Sequence, residues 1–149
     1  MRAVIQRVTQ ASVAVENHII GSIDNGFMVL LGVADGDTDE DLNYLVKKIT
    51  QMRIFEDEQG KMNLSLKDTG GSLLIISQFT LFASTKKGNR PSFTEAGSPE
   101  FSKKMYLQFI DACRARGIHT EEGEFGAHMV VSLVNDGPVT ITLDSRLRH

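Results

Sequence analysis

The sequence predicts an α+β fold in a single domain, residues 1–149, in which largely antiparallel or mixed β-sheets pack in β/β/α layers with two main helices. Two long segments repeat their apolar residues with the spacing of an amphipathic helix. Several shorter segments are β-branched, continuously apolar or alternating, as strands are. The two kinds of segment do not alternate regularly, so a parallel βαβ sheet is not expected.

The first three apolar segments are predicted to be strands. "RAVIQRV" and "ASVAVEN" come first, and in the second the apolar residues fall at every other position. The third, "FMVLLGV", is continuously apolar, which is typical of a strand buried on both faces.

A first helix is predicted to begin within "DGDTDEDL". Asp37 or Thr38 can cap it, and the acidic residues that follow interact favourably with the positive end of its dipole. The residues expected to face the core have helical spacing: Leu42, Leu45, Val46 and Ile49.

The later segment "EDEQGK" has the composition of an exposed turn, so its acidic pair, Asp57 and Glu58, is not expected to be catalytic.

The segment "LLIISQFTLFAS", residues 73–84, is predicted to be a buried strand that polar residues interrupt. With a period of two, Gln78 and Thr80 share a face with Leu74 and Ile76. Buried polar groups are costly unless they are paired. Gln78 and Thr80 either satisfy the backbone of a neighbouring loop or line a cleft that accepts a polar ligand, and the residues alone leave both interpretations open.

A second helix is predicted from Ser98, its N-cap, to the residues before Gly117, with Pro99 in the first turn. Cys113 falls on its core-facing stripe, which favours a buried structural thiol over a nucleophile. The other members of that stripe are Phe101, Met105 and Phe109.

The C-terminal part returns to strands. "AHMVVSLVN" and "VTITLDS" are predicted to be two strands joined by "NDGP". From these letters alone, Gly137 and Pro138 are best interpreted as an ordinary tight turn.

Composition and motifs exclude several classes of protein. The hydrophobic fraction of 41% and charged fraction of 23% are ordinary for a soluble domain, and one cysteine excludes an intrachain disulfide framework, so a cytoplasmic location is expected. The longest apolar run, "GFMVLLGVA", is too short to span a membrane. Phosphate-loop, dinucleotide, zinc-protease and nucleophile-elbow motifs are absent. The four histidines, His18, His119, His128 and His149, share no metal-ligand spacing, so no cofactor and no metal are expected.

The net charge of −3 argues against a general DNA binder, but the charge is uneven along the chain. Residues 34–60 contain eight acidic and three basic residues, whereas residues 85–104 contain five basic and two acidic residues. Lys86, Lys87 and Arg90 in the second segment could hold one or two phosphates. For any single one of these lysines a solvated loop remains the simpler interpretation.

Four motifs occur together in one order: "SQFTL" (residues 77–81), "KKGNRPSF" (86–93), "FGAHMVV" (125–131) and "NDGPVT" (135–140). In this order, and with the opening "MRAVIQRV" and "ASVAVEN", the chain resembles the D-aminoacyl-tRNA deacylases (the D-tyrosyl-tRNA deacylase family) over essentially its whole length. The resemblance implies a homodimeric enzyme that hydrolyses the ester between a D-amino acid and the 3′ end of tRNA. It also implies activity on some glycyl-tRNA and rejection of L-aminoacyl esters.

The resemblance also implies residue roles. The catalytic pocket floor would be formed by Ser77, Gln78, Phe79 and Thr80. Gly137 and Pro138, joined by a cis peptide, would select chirality at the mouth of the partner subunit's pocket, with Arg7 helping to hold that peptide. The phosphates of the tRNA acceptor end would meet Lys86, Lys87 and Arg90.

Two schemes for the chemistry follow. Backbone N–H groups near Phe79 and Thr80 would stabilise the oxyanion while the substrate's own 2′-hydroxyl assists attack by water. In the rival scheme Thr80 is the nucleophile, which requires a base that no sequence-adjacent residue supplies. A different class of function, a non-catalytic module that binds RNA ends or supports assembly, remains the alternative.

Overall fold

The computed structural model describes residues 1–148, so His149 lies outside the described residues. The helices are α1 (Asp39–Gln51), the single turn α2 (Leu66–Thr69) and α3 (Pro99–Ala115), and a 3₁₀ turn covers Phe79–Phe82. The strands are β1 (Arg2–Val15), β2 (His18–Ile23), β3 (Gly26–Gly32), β4 (Phe55–Glu56), β5 (Met62–Leu64), β6 (Ser72–Ser77), β7 (Thr120–Glu122) and β8 (Val130–Asp144).

The fold is α+β, as predicted, and its main sheet is mixed. The strand order is β2-β1-β3-β6-β7, and β8 pairs with β1. Strand β1 runs antiparallel to β2, β3 and β8, whereas β3, β6 and β7 run parallel. The main hydrophobic core packs α1 and α3 against the sheet, and a smaller apolar cluster is formed by residues of β1, β2, β3 and β6.

The prediction of two N-terminal strands was wrong, and the two predicted C-terminal strands belong to one strand whose pairing with β1 is interrupted at residues 136–139. "RAVIQRV" and "ASVAVEN" form the single strand β1, and the tail forms the single strand β8. The physical reason is that register shifts in the pairing of β1 with β8, rather than chain breaks, accommodate the residues between the apolar segments. An extra residue in one strand bends and twists the pair without ending it.

Both long helices begin at the predicted caps. Thr38 is the N-cap of α1 and forms a capping box with Asp41, and the Oγ of Ser98 accepts a hydrogen bond of 3.2 Å from the N–H of Phe101 in α3. Cys113 is fully buried in the main core, and this burial raises the pKa of its thiol to about 12. Cys113 is therefore the buried, protonated thiol that the helical spacing predicted.

The prediction of a continuous strand through residues 73–84 was wrong. Strand β6 ends at Ser77 and the chain turns into the 3₁₀ helix, so Gln78 and Thr80 do not share a sheet face with Leu74 and Ile76. Its partner β3 ends at Gly32, one residue beyond the last residue that pairs with β6. Beyond Ser77, a continued β6 would have no β3 residues to pair with, and its backbone amide groups would need other partners.

A buried charge network fixes the start of β1. The Met1 ammonium donates to Oδ1 of Asp37 at 2.8 Å and to Oγ of Ser145 at 2.9 Å, and both charged groups are fully buried. The second oxygen of Asp37 accepts the N–H of Ala34 at 2.7 Å, and Arg146 approaches the first at 3.1 Å. This network fixes the segment before α1 against the end of the sheet where β1 begins and β8 finishes. None of the helices described within residues 1–148 is long and apolar enough to cross a membrane.

Candidate active site

A cavity of about 410 Å³ opens where strands β3 and β6 end. Three segments that are distant in sequence enclose it: the residues after β6, the approach to α3 with its first two turns, and the segment before β8. Its lining residues are Leu31, Val33, Ser77, Gln78, Phe79, Phe93, Ala96, Gly97, Pro99, Ser102, Tyr106, Phe125 and Gly126.

Aromatic rings form much of the cavity wall. The rings of Phe79 and Phe93 meet edge to face with centroids 5.0 Å apart, and Tyr106 lies 5.9 Å from Phe125. The Tyr106 hydroxyl donates to the carbonyl of Ile75 at 2.7 Å, and burial raises the pKa of this phenol far above its ordinary value. Tyr106 therefore remains neutral, and its hydroxyl proton is used in the hydrogen bond to the sheet carbonyl of Ile75.

The SQFTL turn, residues 77–81, is held at both ends. The N–H of Gln78 donates to the carbonyl of Leu31 at 2.8 Å, which continues the β3–β6 pairing for one more bond. At the other end Arg2 donates to the carbonyl of Leu81 at 2.9 Å, and its guanidinium lies 4.5 Å from the centroid of the Phe82 ring. These contacts fix the position of the backbone between them.

Two backbone donors in this turn are free. Within residues 1–148, neither the N–H of Phe79 nor that of Thr80 has a hydrogen-bond acceptor. Both belong to the first turn of a 3₁₀ helix, where N–H groups have no intrahelical partner. Phe79 lines the cavity, and Thr80 directly follows it but is not itself a lining residue. Adjacent free N–H groups beside a cavity are an arrangement that can stabilise a developing oxyanion.

Gln78 and Thr80 contact each other at this turn. The Gln78 side-chain amide donates to Oγ1 of Thr80 at 2.5 Å, and Thr80 is exposed. A carboxamide has no basic lone pair in either orientation, so it cannot remove the proton of the hydroxyl. The pair therefore orients Thr80 but does not activate it.

The cavity provides no general base. Within the described part of the chain, its lining includes no Asp, Glu, His, Lys or Arg. His128 is exposed and is not part of the lining. Within residues 1–148 no group of three or more potential metal-ligating side chains is present.

Gly137 and Pro138 do not line this cavity. Their peptide is cis, and both residues are exposed; they lie in a segment within β8, residues 136–139, that we call the GP loop and whose last residue, Val139, is buried. Arg7, which holds the loop by donating to the carbonyl of Asp136 at 2.9 Å, pairs with Phe27 on β3. The cavity residue Leu31 is four positions further along β3, about 13 Å at the rise of a strand.

Lys86, Lys87 and Arg90 lie on an exposed loop between the SQFTL turn and the cavity residue Phe93. The loop is closed by a pair of backbone hydrogen bonds between Ser84 and Ser92, of 2.8 and 2.9 Å. All three basic residues are therefore presented to solvent next to the cavity.

Sequence reasoning missed the aromatic wall: Phe93, Tyr106 and Phe125 were not predicted as site residues. Tyr106 follows Met105 of the predicted core stripe of α3, and the structure shows that it is buried as well. Phe93 and Phe125 belong to loops, where a large aromatic residue needs a partner to cover it. Nothing in the local spacing shows that these residues face one cavity.

Comparison with known proteins supplies a second line of observation. The family model for D-Tyr-tRNA(Tyr) deacylase matches residues 4–144. A D-aminoacyl-tRNA deacylase of Thermosipho africanus is 58% identical and one of Clostridium novyi 56%, each over 98% of both chains. A protein of the same name from Bifidobacterium animalis subsp. lactis is 53% identical over 97% of both chains.

Solved structures agree in fold. One described as the c-Myc DNA Unwinding Element Binding Protein superposes with a TM-score of 0.91 at 44% identity, covering 97% of this chain and 98% of the other. A probable eukaryotic D-amino acid tRNA deacylase superposes with a TM-score of 0.81 at 21% identity, covering 95% and 97% of the two chains.

Proposed function

This chain belongs to the D-Tyr-tRNA(Tyr) deacylase family and is therefore a hydrolase of the D-aminoacyl-tRNA deacylase type, and we propose that it cleaves its ester at the SQFTL turn. The products are a free D-amino acid and tRNA. Glycyl-tRNA is a second substrate in this proposal, because glycine has no side chain for a chiral filter to reject. The carrying observation is the pair of free N–H groups of Phe79 and Thr80 beside an apolar cavity.

The backbone of the turn supplies the electrostatic stabilisation. Water attacks the ester carbonyl carbon, and the carbonyl oxygen acquires negative charge within reach of the two N–H groups. The tetrahedral intermediate collapses, the bond to the ribose oxygen breaks, and the attacking water's proton passes to that oxygen. Each well-placed donor in an apolar site lowers such a barrier by about 3 kcal/mol.

The substrate, rather than a side chain, assists the proton transfer. Thr80 receives a hydrogen bond from a neutral amide, and no described cavity residue is a base, so a threonine nucleophile lacks activation. The neighbouring 2′-hydroxyl of the terminal ribose is a hydroxyl already placed next to the ester. We therefore favour attack by water over an acyl-threonine intermediate.

The chiral filter comes from a second copy of the chain. Gly137 and Pro138 of the GP loop are exposed and do not line the cavity of their own chain, so only a partner can place them there. Among the described strands β8 pairs with β1 alone, and β8 also exposes Val130 (58%) and Val134 (47%). A twofold dimer in which the partner covers the unpaired edge of β8 gives two equivalent sites, each built from both chains.

A backbone wall suits this discrimination. D- and L-aminoacyl esters contain the same atoms, so burial of apolar surface cannot separate them, and even a methylene is worth only about 1–3 kcal/mol. A wall where an L side chain would project separates them by collision. Gly137 keeps the wall close to the substrate because it has no side chain.

The basic loop near the cavity, residues 85–91, is proposed to meet phosphates of the acceptor end. Replacing Lys86, Lys87 and Arg90 with Gln should raise KM and weaken its salt dependence while leaving kcat nearly unchanged. The matched control removes three exposed charges elsewhere: Lys47, Lys61 and Lys67. Equal effects of the two triple variants would show that total charge, rather than this loop, binds tRNA.

The proposed function is tested by following deacylation of D-Tyr-tRNA, L-Tyr-tRNA and Gly-tRNA in parallel with spontaneous hydrolysis. We expect acceleration for the D and glycyl esters and none for the L ester. A non-catalytic RNA-end binder would instead slow the spontaneous loss of the D-amino acid.

Subunit mixing tests the shared site. One chain has a defective turn, Phe79→Pro, and its partner has a defective GP loop, Arg7→Ala. If each site takes its turn and its loop from different chains, the purified mixed dimer has one site without either change and hydrolyses D-Tyr-tRNA selectively. A mixed dimer that is active but unselective would place the loop and the turn of each site in the same chain.

A further inference from the structure

The GP loop interrupts the β1–β8 ladder at one point. Gln6 pairs with Thr140 and Val8 pairs with Asn135, so four residues of β8 stand opposite Arg7 alone. Such an excess projects from the sheet, because its backbone has no ladder partners. The geometry of the projection must therefore be set by side-chain contacts.

Asn135 closes the base of this projection with its carboxamide. Its Oδ1 accepts the N–H of Val139 at 2.8 Å, and its Nδ2 donates to the carbonyl of Val139 at 3.3 Å. The same Nδ2 lies 3.3 Å from Oγ1 of Thr140, to which Gln6 also donates at 3.4 Å. One side chain thus replaces the missing ladder partner for both the donor and the acceptor of residue 139.

The two ends of the loop are held by different residues. Arg7 donates to the carbonyl of Asp136 at 2.9 Å and to the carbonyl of Ile54 at 2.6 Å, which secures the first residue of the loop. Asn135 secures the last residue, Val139. Between these points the loop is tightly folded, since a Cβ added at Gly137, where φ is +140°, would lie 2.7 Å from Cγ2 of Val139.

We propose that Asn135 is a positioning residue for chiral selection: its carboxamide fixes Val139 and thereby the distance at which Gly137 and Pro138 meet the substrate. This inference rests on the proposed function, in which the GP loop is the chiral filter. Arg7 secures only the Asp136 end; at the other end the Val139 side chain is buried in the main core, and the Asn135 carboxamide sets the position of the Val139 backbone. A small outward movement opens the space into which an L side chain projects, while the D ester, which projects elsewhere, is bound as before.

The test is the ratio of kcat/KM for D-Tyr-tRNA to kcat/KM for L-Tyr-tRNA. We expect Asn135→Ala to lower this ratio on the order of tenfold, because two hydrogen bonds to the backbone of Val139 are lost, and to do so by raising L-ester hydrolysis. Asn135→Asp keeps an acceptor for the Val139 N–H and should recover part of the ratio. The matched control is Thr142→Ala, an exposed residue of the same strand beyond the loop.

General loss of stability would lower both rates together and leave the ratio unchanged, so the ratio separates positioning from a structural role. If Asn135→Ala does not fold, Asn135→Asp becomes the test, and an unchanged D-to-L ratio of kcat/KM in that variant overturns the inference. A wild-type enzyme that does not hydrolyse D-Tyr-tRNA would overturn the proposed function as well. If instead Arg7→Ala loses selectivity and both folded Asn135 variants keep it, the inference on Asn135 alone is overturned.

Discussion

Removing the N–H of Phe79 is the sharpest test of catalysis by the backbone. Phe79→Pro deletes that donor, and Phe79→Ala keeps it while removing the same ring. Proline is compatible with this position, since residue 79 is the first of the 3₁₀ turn and its N–H has no partner within residues 1–148. Gln78, the preceding residue, has φ −146° and ψ 83°, outside the helical region that proline disfavours for its neighbour.

The expected magnitude follows from the contacts of residue 79. Phe79 is 57% exposed, and its ring meets that of Phe93 edge to face with centroids 5.0 Å apart. Loss of the ring therefore costs about 0.5–1.5 kcal/mol, mainly in substrate binding. Loss of one oxyanion donor costs about 2.7–4 kcal/mol, or roughly 100- to 1,000-fold in kcat. Because the Thr80 N–H remains, we expect Phe79→Pro to be about 100-fold slower than Phe79→Ala.

The assay is single-turnover deacylation of D-Tyr-tRNA with enzyme in excess, which reports chemistry without product release. Circular dichroism and the urea midpoint show whether each variant retains the fold. Equal rates for folded Phe79→Pro and Phe79→Ala would refute the assignment of this N–H to the oxyanion.

Three further predictions concern the turn, the cavity and the buried network. Thr80→Ala should slow single-turnover hydrolysis tenfold at most, roughly the value of one hydrogen bond, and acid quenching should trap no acyl-enzyme; an acyl-threonine adduct would contradict the water mechanism. Burial keeps Tyr106 protonated by raising its pKa, and no other described lining residue is an acid or a base. We therefore expect log kcat/KM to rise with pH between about 6 and 8 without a bell shape; a bell-shaped profile would reveal a catalytic acid or base that this site lacks. Asp37→Ala leaves the buried Met1 ammonium without its carboxylate and should lower the free energy of unfolding in urea by about 3–5 kcal/mol; an unchanged midpoint would show that the ion pair is replaced by other contacts.

The sequence predicted the parts of this fold that depend on local chemistry. Thr38 and Ser98 were identified as caps because a side-chain oxygen at a helix N-terminus needs no distant partner to explain it. The end of β6 was not predictable in this way. Whether the chain continues as a strand after Ser77 depends on where β3, its neighbour, ends, and that information lies more than forty positions earlier in the chain.

The candidate site was likewise predictable only in part. "SQFTL" and "NDGPVT" were recognisable as motifs, but their geometry differs from that of regular strands: one is a 3₁₀ turn and the other contains a four-residue projection. The aromatic wall was missed because Phe93, Tyr106 and Phe125 reach the cavity from three separate segments. Tertiary packing, rather than any local period, brings them together.

The pairing of β1 with β8 has a consequence for how the protein forms during synthesis. β1 occupies an interior position of the main sheet, and its partner β8, which runs from Val130 to Asp144, is synthesised after all the other described strands. Until β8 emerges, one edge of β1 has no permanent neighbour, and closing contacts between such distant segments is entropically slow. The nascent chain therefore completes its main sheet only once β8 has been synthesised, and in the interval the open edge of β1 is exposed to mispairing with other chains or to shielding by chaperones.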